Sequence, residues 1–292
     1  MKFLHHVLAA SYPALSLYRK IRSFSGYDRP PQLRVLLYHD IAPRELKNFE
    51  LQLAWLSRSW DFISPQRFAS FINGDEILKN NSLLITFDDG FASNLKVTES
   101  FLNTMKIKAL FFVVSDLVDI DNSDDALQFI ANHIQPEIPI EEIPNYLKNM
   151  QWSDLEILLE QGHTIGAHTK THAKLSGISS SKGLEEEMIS SADHLEKRLG
   201  ISIDHFAYTF GNLASFSIEA LSVAKKRFRY IYSGLRGNNV AGTTPPFAIR
   251  RDAISPSDPN SKVGALLEGG ADFLYKKSLH ELEDWAERTN ID

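Results

Sequence analysis

The sequence predicts an α/β fold on a mostly parallel sheet, and three observations support this. Short β-branched and apolar runs alternate with stretches whose apolar residues recur every three or four positions. Several runs are apolar throughout, as strands buried on both faces are, which favours closure into a barrel. The 292 residues, 43% hydrophobic and 23% charged, suffice for one core of that size.

The first 34 residues carry Lys2, Arg19, Lys20, Arg22, Arg29 and Arg34 against a single acid, Asp28. Their apolar run is interrupted by His5, His6 and Pro13, too often for a spanning helix of roughly 20 apolar residues. The charges follow that run instead of preceding it, so a secretory signal is not indicated. We expect a helical extension over 1–32, either packed on the domain or resting on an anionic membrane face. The barrel follows over 33–292. Strands are expected at 33–39, 83–87, 109–115, 163–169, 205–210, 230–235 and 247–251, with helices at 49–60, 91–105, 153–161, 180–199 and 217–227. Residues 116–142 hold eight acids and no Lys or Arg. This stretch, near 116–150, reads as an acidic insertion: a solvated loop with a short helix, or else a lid facing substrate. Its spacing does not fit a calcium loop.

Composition narrows the function. A net charge of −6 without a basic cluster beyond the N-terminus argues against nucleic acid. With no cysteine there is no disulfide framework and no thiol ligand or nucleophile, which suits the cytoplasm; peripheral membrane contact is expected only where the N-terminal segment rests on a membrane face instead of the domain.

Chemistry concentrates at strand ends, where parallel barrels build active sites. Asp88 and Asp89 leave an apolar strand side by side, and adjacent carboxylates there repel unless they share a proton or cation. Alone, Asp-Asp-Gly is as well read as a turn. About 80 residues later stand His168 and His172, whose i, i+4 spacing would aim both rings at one point if a helical turn follows the strand. Asp89 would complete a His₂Asp set with open positions, the pattern of a catalytic metal centre.

Thr86-Phe87-Asp88-Asp89-Gly90 and His168-Thr169-Lys170-Thr171-His172, the latter within a segment beginning Gly162-His163-Thr164, carry a family resemblance. The chain resembles the polysaccharide deacetylases of carbohydrate esterase family four, which share the NodB homology domain, over roughly 33–254. The resemblance implies a distorted (β/α)7 barrel, Asp88 as general base, and Asp89, His168 and His172 as ligands of a divalent metal ion, with zinc the expected one. His163 falls outside that set and is read as packing. In Phe206-Ala207-Tyr208-Thr209-Phe210-Gly211-Asn212, the backbone N–H of Phe210 takes the family's oxyanion-binding position.

Two departures follow. The family's Arg that orients the base aligns with Ala207, and its Pro with Thr209. Arg251 is the favoured replacement because many relatives place an Arg at a similar strand end; Arg250 and a purely solvated pair are the alternatives. No His occurs between His205 and His280, where relatives carry the acid that protonates the leaving amine. His39, in Tyr38-His39-Asp40, resembles the N-terminal His of the subgroup containing poly-N-acetylglucosamine deacetylases, and takes that role here. The expectation is a hydrolase acting on an N-acetylated amino sugar in bacterial surface-polysaccharide or lipopolysaccharide assembly. The alternatives are a deformylase or other amidase on a lipid-linked sugar and a catalytically degenerate carbohydrate-binding protein.

Overall fold

The computed structural model describes Tyr12 and residues 30–288. Eight strands among them form one curled parallel sheet: β1 (Leu33–Tyr38), β2 (Asp61–Phe62), β3 (Ser82–Phe87), β4 (Leu110–Val113), β5 (Thr164–Ala167), β6 (His205–Ala207), β7 (Tyr230–Tyr232) and β8 (Asp252–Ala253). The order is β7-β6-β5-β4-β3-β1-β8. β2 pairs with the start of β3, and β4 with the end of the same strand. Residues ahead of β8 span the gap to β7. There the Ser233 N–H donates to the Ile249 carbonyl at 2.8 Å, and the Arg251 N–H to the Leu235 carbonyl at 3.0 Å. With helices packed around it, the sheet is the expected distorted (β/α)7 barrel.

Side chains alternate across the sheet. Leu33 and Val35 of β1 join Leu84, Leu110, Phe112 and Tyr232 in one buried cluster, whereas Leu36 and Tyr38 join the cluster beneath the helices. Phe112 and Tyr232 meet at 5.0 Å although β5 and β6 lie between their strands, so the first cluster is the barrel interior. Burial on both faces explains the unbroken apolar runs in the sequence.

A helix at Pro65–Asn73 lies outside the expected ones, although its end signals are present in the sequence. The Ser64 hydroxyl accepts from the Arg67 N–H at 3.2 Å, Pro65 supplies a compatible first turn, and Gly74 ends the helix at φ 80°. Its Phe68, Phe71 and Ile72 pack into the barrel interior.

Several expected boundaries move. The strand expected at 247–251 forms instead at Asp252–Ala253, where register with Leu36 and Leu37 is available. β6 stops at Ala207, short of 210, because Phe210 and Gly211 take left-handed backbone (φ 61° and 64°). The acidic stretch is not merely a solvated loop. It carries helices Ser115–Val118 and Ser123–Phe129, the second running into a π-helical turn at Ile130–Ile134. Val114, Leu117, Ala126, Ile130, Ala131, Ile143 and Leu147 close a buried cluster of their own with Phe91.

Of the N-terminal extension only Tyr12 is described; the rest of 1–29 lies outside the described residues. Tyr12 lies against Gly264, where a Cβ would come within 2.3 Å of the ring, and meets Trp55 edge-on at 6.2 Å. No helix among the described residues is long and apolar enough to cross a membrane.

Candidate active site

Asp88 and Asp89 follow β3, His168 and His172 follow β5, and Arg251 immediately precedes β8; all five are at least 93% buried. In a regular strand, adjacent Asp88 and Asp89 would point to opposite faces. Positive φ at Asp89 (75°) and Gly90 (90°) turns the chain so that both carboxyls face one cleft, and Asp is among the few residues that tolerate this backbone. The same device serves the histidines. The expected helical turn over 168–172 is absent. Thr169 and His172 have φ of 66° and 63°, which no right-handed helix allows, and a loop brings the rings to 5.4 Å. The i, i+4 spacing was informative for a reason other than the one that suggested it.

His168 Nε2 and His172 Nε2 lie 3.4 Å and 3.5 Å from Asp89 Oδ1. That oxygen is buried and has no hydrogen-bond partner among the described residues. Each ring's other nitrogen faces a backbone carbonyl, His168 Nδ1 that of Ala207 at 2.7 Å and His172 Nδ1 that of His133 at 2.9 Å. A carbonyl only accepts, so both Nδ1 atoms carry protons and, in the neutral rings, both Nε2 lone pairs point at the Asp89 oxygen. Three electron-pair donors then converge with no proton between them, an arrangement suited to a cation. Charge agrees: two buried carboxylates face a single guanidinium.

Burial works against ionised Asp89, but the contact with His168 and the fields of His39 and His172 outweigh it and hold the carboxyl well below its usual range. Burial likewise opposes charging of His168, yet Asp88 and Asp89 prevail and raise it, whereas at His172 burial wins and lowers it.

Arg251, fully buried, donates to both oxygens of Asp88, Nη1 to Oδ1 at 2.6 Å and Nη2 to Oδ2 at 2.8 Å. Its Nε donates to the Ser233 carbonyl at 2.8 Å and its guanidinium lies 5.2 Å from the Phe112 ring centre. Such bidentate geometry fixes a carboxylate in orientation as well as charge. Arg250 points away, to Glu283 and the Asn238 carbonyl.

Phe210 lies at the rim, 48% exposed, its ring edge-on to His172 at 4.9 Å. Its backbone N–H has no hydrogen-bond partner among the described residues. Behind it Gly211 and Gly234 press backbone on backbone, leaving 2.8 Å for any Cβ on Gly211. His39 is exposed and lines the same cleft, of about 420 Å³.

Three other features of this cleft are not among the expected site residues. Asp40 lines it, and burial raises its carboxyl against the opposing contacts of Ser93 and Tyr146. Ile134 and Gln135 bring the acidic insertion to its edge. The His133 carbonyl, from the same insertion, holds His172. Only Asp40, an acid beside His39 at a strand end, left a trace in the sequence.

The sequence pattern of the family described as polysaccharide deacetylase matches residues 75–228, just over half of the chain, from ahead of Asp88 to beyond Phe210. The chain belongs to the polysaccharide deacetylase family. YxkH of Bacillus subtilis (strain 168), which carries a provisional polysaccharide-deacetylase name, is 22% identical over 256 residues, covering 82% of this deacetylase and 78% of that protein. The same fold appears in IcaB from Ammonifex degensii, with a TM-score of 0.65 at 21% identity over 82% of this chain and 98% of that one. It appears also in the Streptococcus pyogenes deacetylase PplD in complex with acetate, with a TM-score of 0.64 at 18% identity over 80% and 97%. Within this deacetylase, family motif and fold meet at one cleft.

Proposed function

We propose that this deacetylase hydrolyses the N-acetyl group of an amino sugar in a bacterial surface polysaccharide or lipopolysaccharide, with a divalent ion, zinc for preference, on Asp89, His168 and His172. The observation that carries the reading is the convergence of two Nε2 lone pairs and a partnerless carboxylate oxygen beside a second, Arg-held carboxylate. Imidazole with carboxylate and open positions suits zinc.

When bound, the ion supplies Lewis acidity to the acetamide carbonyl and to the attacking water. Asp88, oriented by Arg251, takes the proton from that water as its oxygen forms a bond to the carbonyl carbon. The Phe210 N–H is free to donate to the oxyanion that develops. As the C–N bond breaks, the amine nitrogen takes a proton from His39, leaving acetate and a free amino sugar.

The test pairs metal content with acetate release from N-acetylglucosamine oligomers. Wild type should hold one zinc per chain, and His168→Ala should lose it. Asp88→Asn should keep the metal and lose about 10²–10⁴-fold in kcat. Equal metal in wild type and His168→Ala, or wild-type turnover by Asp88→Asn, overturns the assignment.

A further inference from the structure

Arg251 reaches Asp88 from the residue just before β8, and β8 has only two residues, paired to Leu36 and Leu37 of β1. So short a ladder adds few main-chain hydrogen bonds to those that Arg251 makes to Leu235 and Ile254 to Leu37, and side chains carry much of its hold against a slip. Successive side chains alternate between faces, so a slip of one residue would carry Arg251 out of the barrel and bring Asp252 in.

Asp252 is fully buried on the outer face and accepts from Arg34 Nε and Nη2, both at 2.8 Å, and from Arg236 Nη1 at 2.9 Å. Arg236 Nη2 donates to the Ala253 carbonyl at 2.7 Å, so one side chain holds both residues of β8. Arg34, rooted in β1, donates also to the Leu266 carbonyl at 2.9 Å and to both oxygens of Asp272 at 2.8 Å and 3.0 Å. Two guanidiniums and two carboxylates leave the cluster neutral. Desolvation offsets most of the attraction in buried ion clusters, and their best-attested consequence is register. A slip would leave Arg34 and Arg236 without Asp252 while placing that carboxylate against Asp88.

We infer that Asp252, gripped by Arg34 and Arg236, is a positioning residue that fixes the register of β8 and thereby aims Arg251 at Asp88. Asp252 touches no reacting group. The inference rests on Asp88 as the base only in so far as it concerns rate; its structural half stands apart.

Asp252→Asn should lower kcat by about 10- to 100-fold at near-constant KM, as a misplaced catalytic group does. Asp272→Asn, which breaks the same cluster at the end away from β8, should stay within about 2-fold. In an Arg251→Ala background Asp252→Asn should cost nothing further, since both act through one contact. A crystal structure of Asp252→Asn should show Arg251 displaced from Asp88. Arg251 still bidentate on Asp88 there overturns the inference, as does an equal kcat loss in both backgrounds. Should Asp252→Asn fail to fold, the same measurements on Arg236→Gln decide. If Asp88→Asn proves active, the assignment of the base falls, while the position of Arg251 still judges the clamp.

Discussion

An amine is a poor leaving group until its nitrogen is protonated, and the proposed reaction gives that proton transfer to His39. Among the described residues, His163 is engaged with Ala109 and Asn103, His205 with Tyr232 and His194 with Asp119, His133 stacks on Phe129 at 4.5 Å, and His280 is an exposed residue of the last helix. His39→Ala should slow hydrolysis of an N-acetyl sugar by at least about 100-fold while slowing an activated aryl acetate, whose leaving group needs no proton, by less than about 5-fold. Equal losses on both substrates would reassign His39 to shaping the site. The sharing of one cleft by Asp88, Asp89, His168, His172 and Arg251 was legible because few residue types bind metals or pair with carboxylates: four of them follow a strand, and Arg251 closes the apolar run that reads as one, although the ladder forms one residue later. The backbone that makes it so was not. Positive φ at Asp89, Thr169 and His172 leaves no sequence signal beyond Gly90, and the contribution of His133 is a carbonyl, which every residue has.

Among the elements, the acidic insertion departs furthest from its sequence. Its charges read as solvated chain, but its apolar positions are spread over 114–147 without one sustained period and meet only once the segment folds back on Phe91. The helix Ser123–Phe129 ends in a π-helical turn, and the last carbonyls of a helix lack partners within it. That frees the His133 carbonyl for His172 Nδ1. The insertion thereby sets the orientation of one of the three proposed metal ligands. Ile130→Ala, which hollows the small cluster beneath that turn, should weaken zinc binding by about 10-fold, at the lower end of what lost outer contacts cost a metal site. Competition with a chromophoric chelator measures this, and unchanged affinity would make the insertion a bystander. Helix Pro65–Asn73 presents the opposite case: Ser64, Pro65 and Gly74 mark its ends in the sequence, but the packing of its Phe68, Phe71 and Ile72 into the barrel interior depends on tertiary structure.

At the scale of the whole molecule, the two ends of the barrel divide the histidines. His168, His172 and His39 serve the end where the strands finish, whereas His163 and His205 lie where β5 and β6 begin. The His163 Nδ1 accepts from the Ala109 N–H at 3.1 Å, and its Nε2 stands 3.1 Å from Asn103 Oδ1, a pair of contacts that the neutral ring satisfies and the protonated ring does not. Burial, helped by the nearby Lys108, lowers this ring to about 4, and burial alone lowers His205 to about 4. In the unfolded chain both return to about 6.5. Between those limits the unfolded state binds more protons than the folded one, so the contribution of these two rings to stability is constant above about pH 7 and is lost as pH drops from 6.5 toward 4. Both rings begin to lose that contribution just below pH 7 and have lost it in full only below about pH 4. His205→Phe keeps the stacking on Tyr230 (4.9 Å, 19°) and removes the titration. It lowers stability at pH 7 by leaving the Tyr232 hydroxyl without its partner, but it should lose less than wild type between pH 7 and pH 5. Urea midpoints of both proteins at the two pH values measure that difference, in which every other titrating group cancels. Parallel midpoints would mean that His205 is as easily protonated folded as unfolded, and that acid sensitivity arises elsewhere in the barrel.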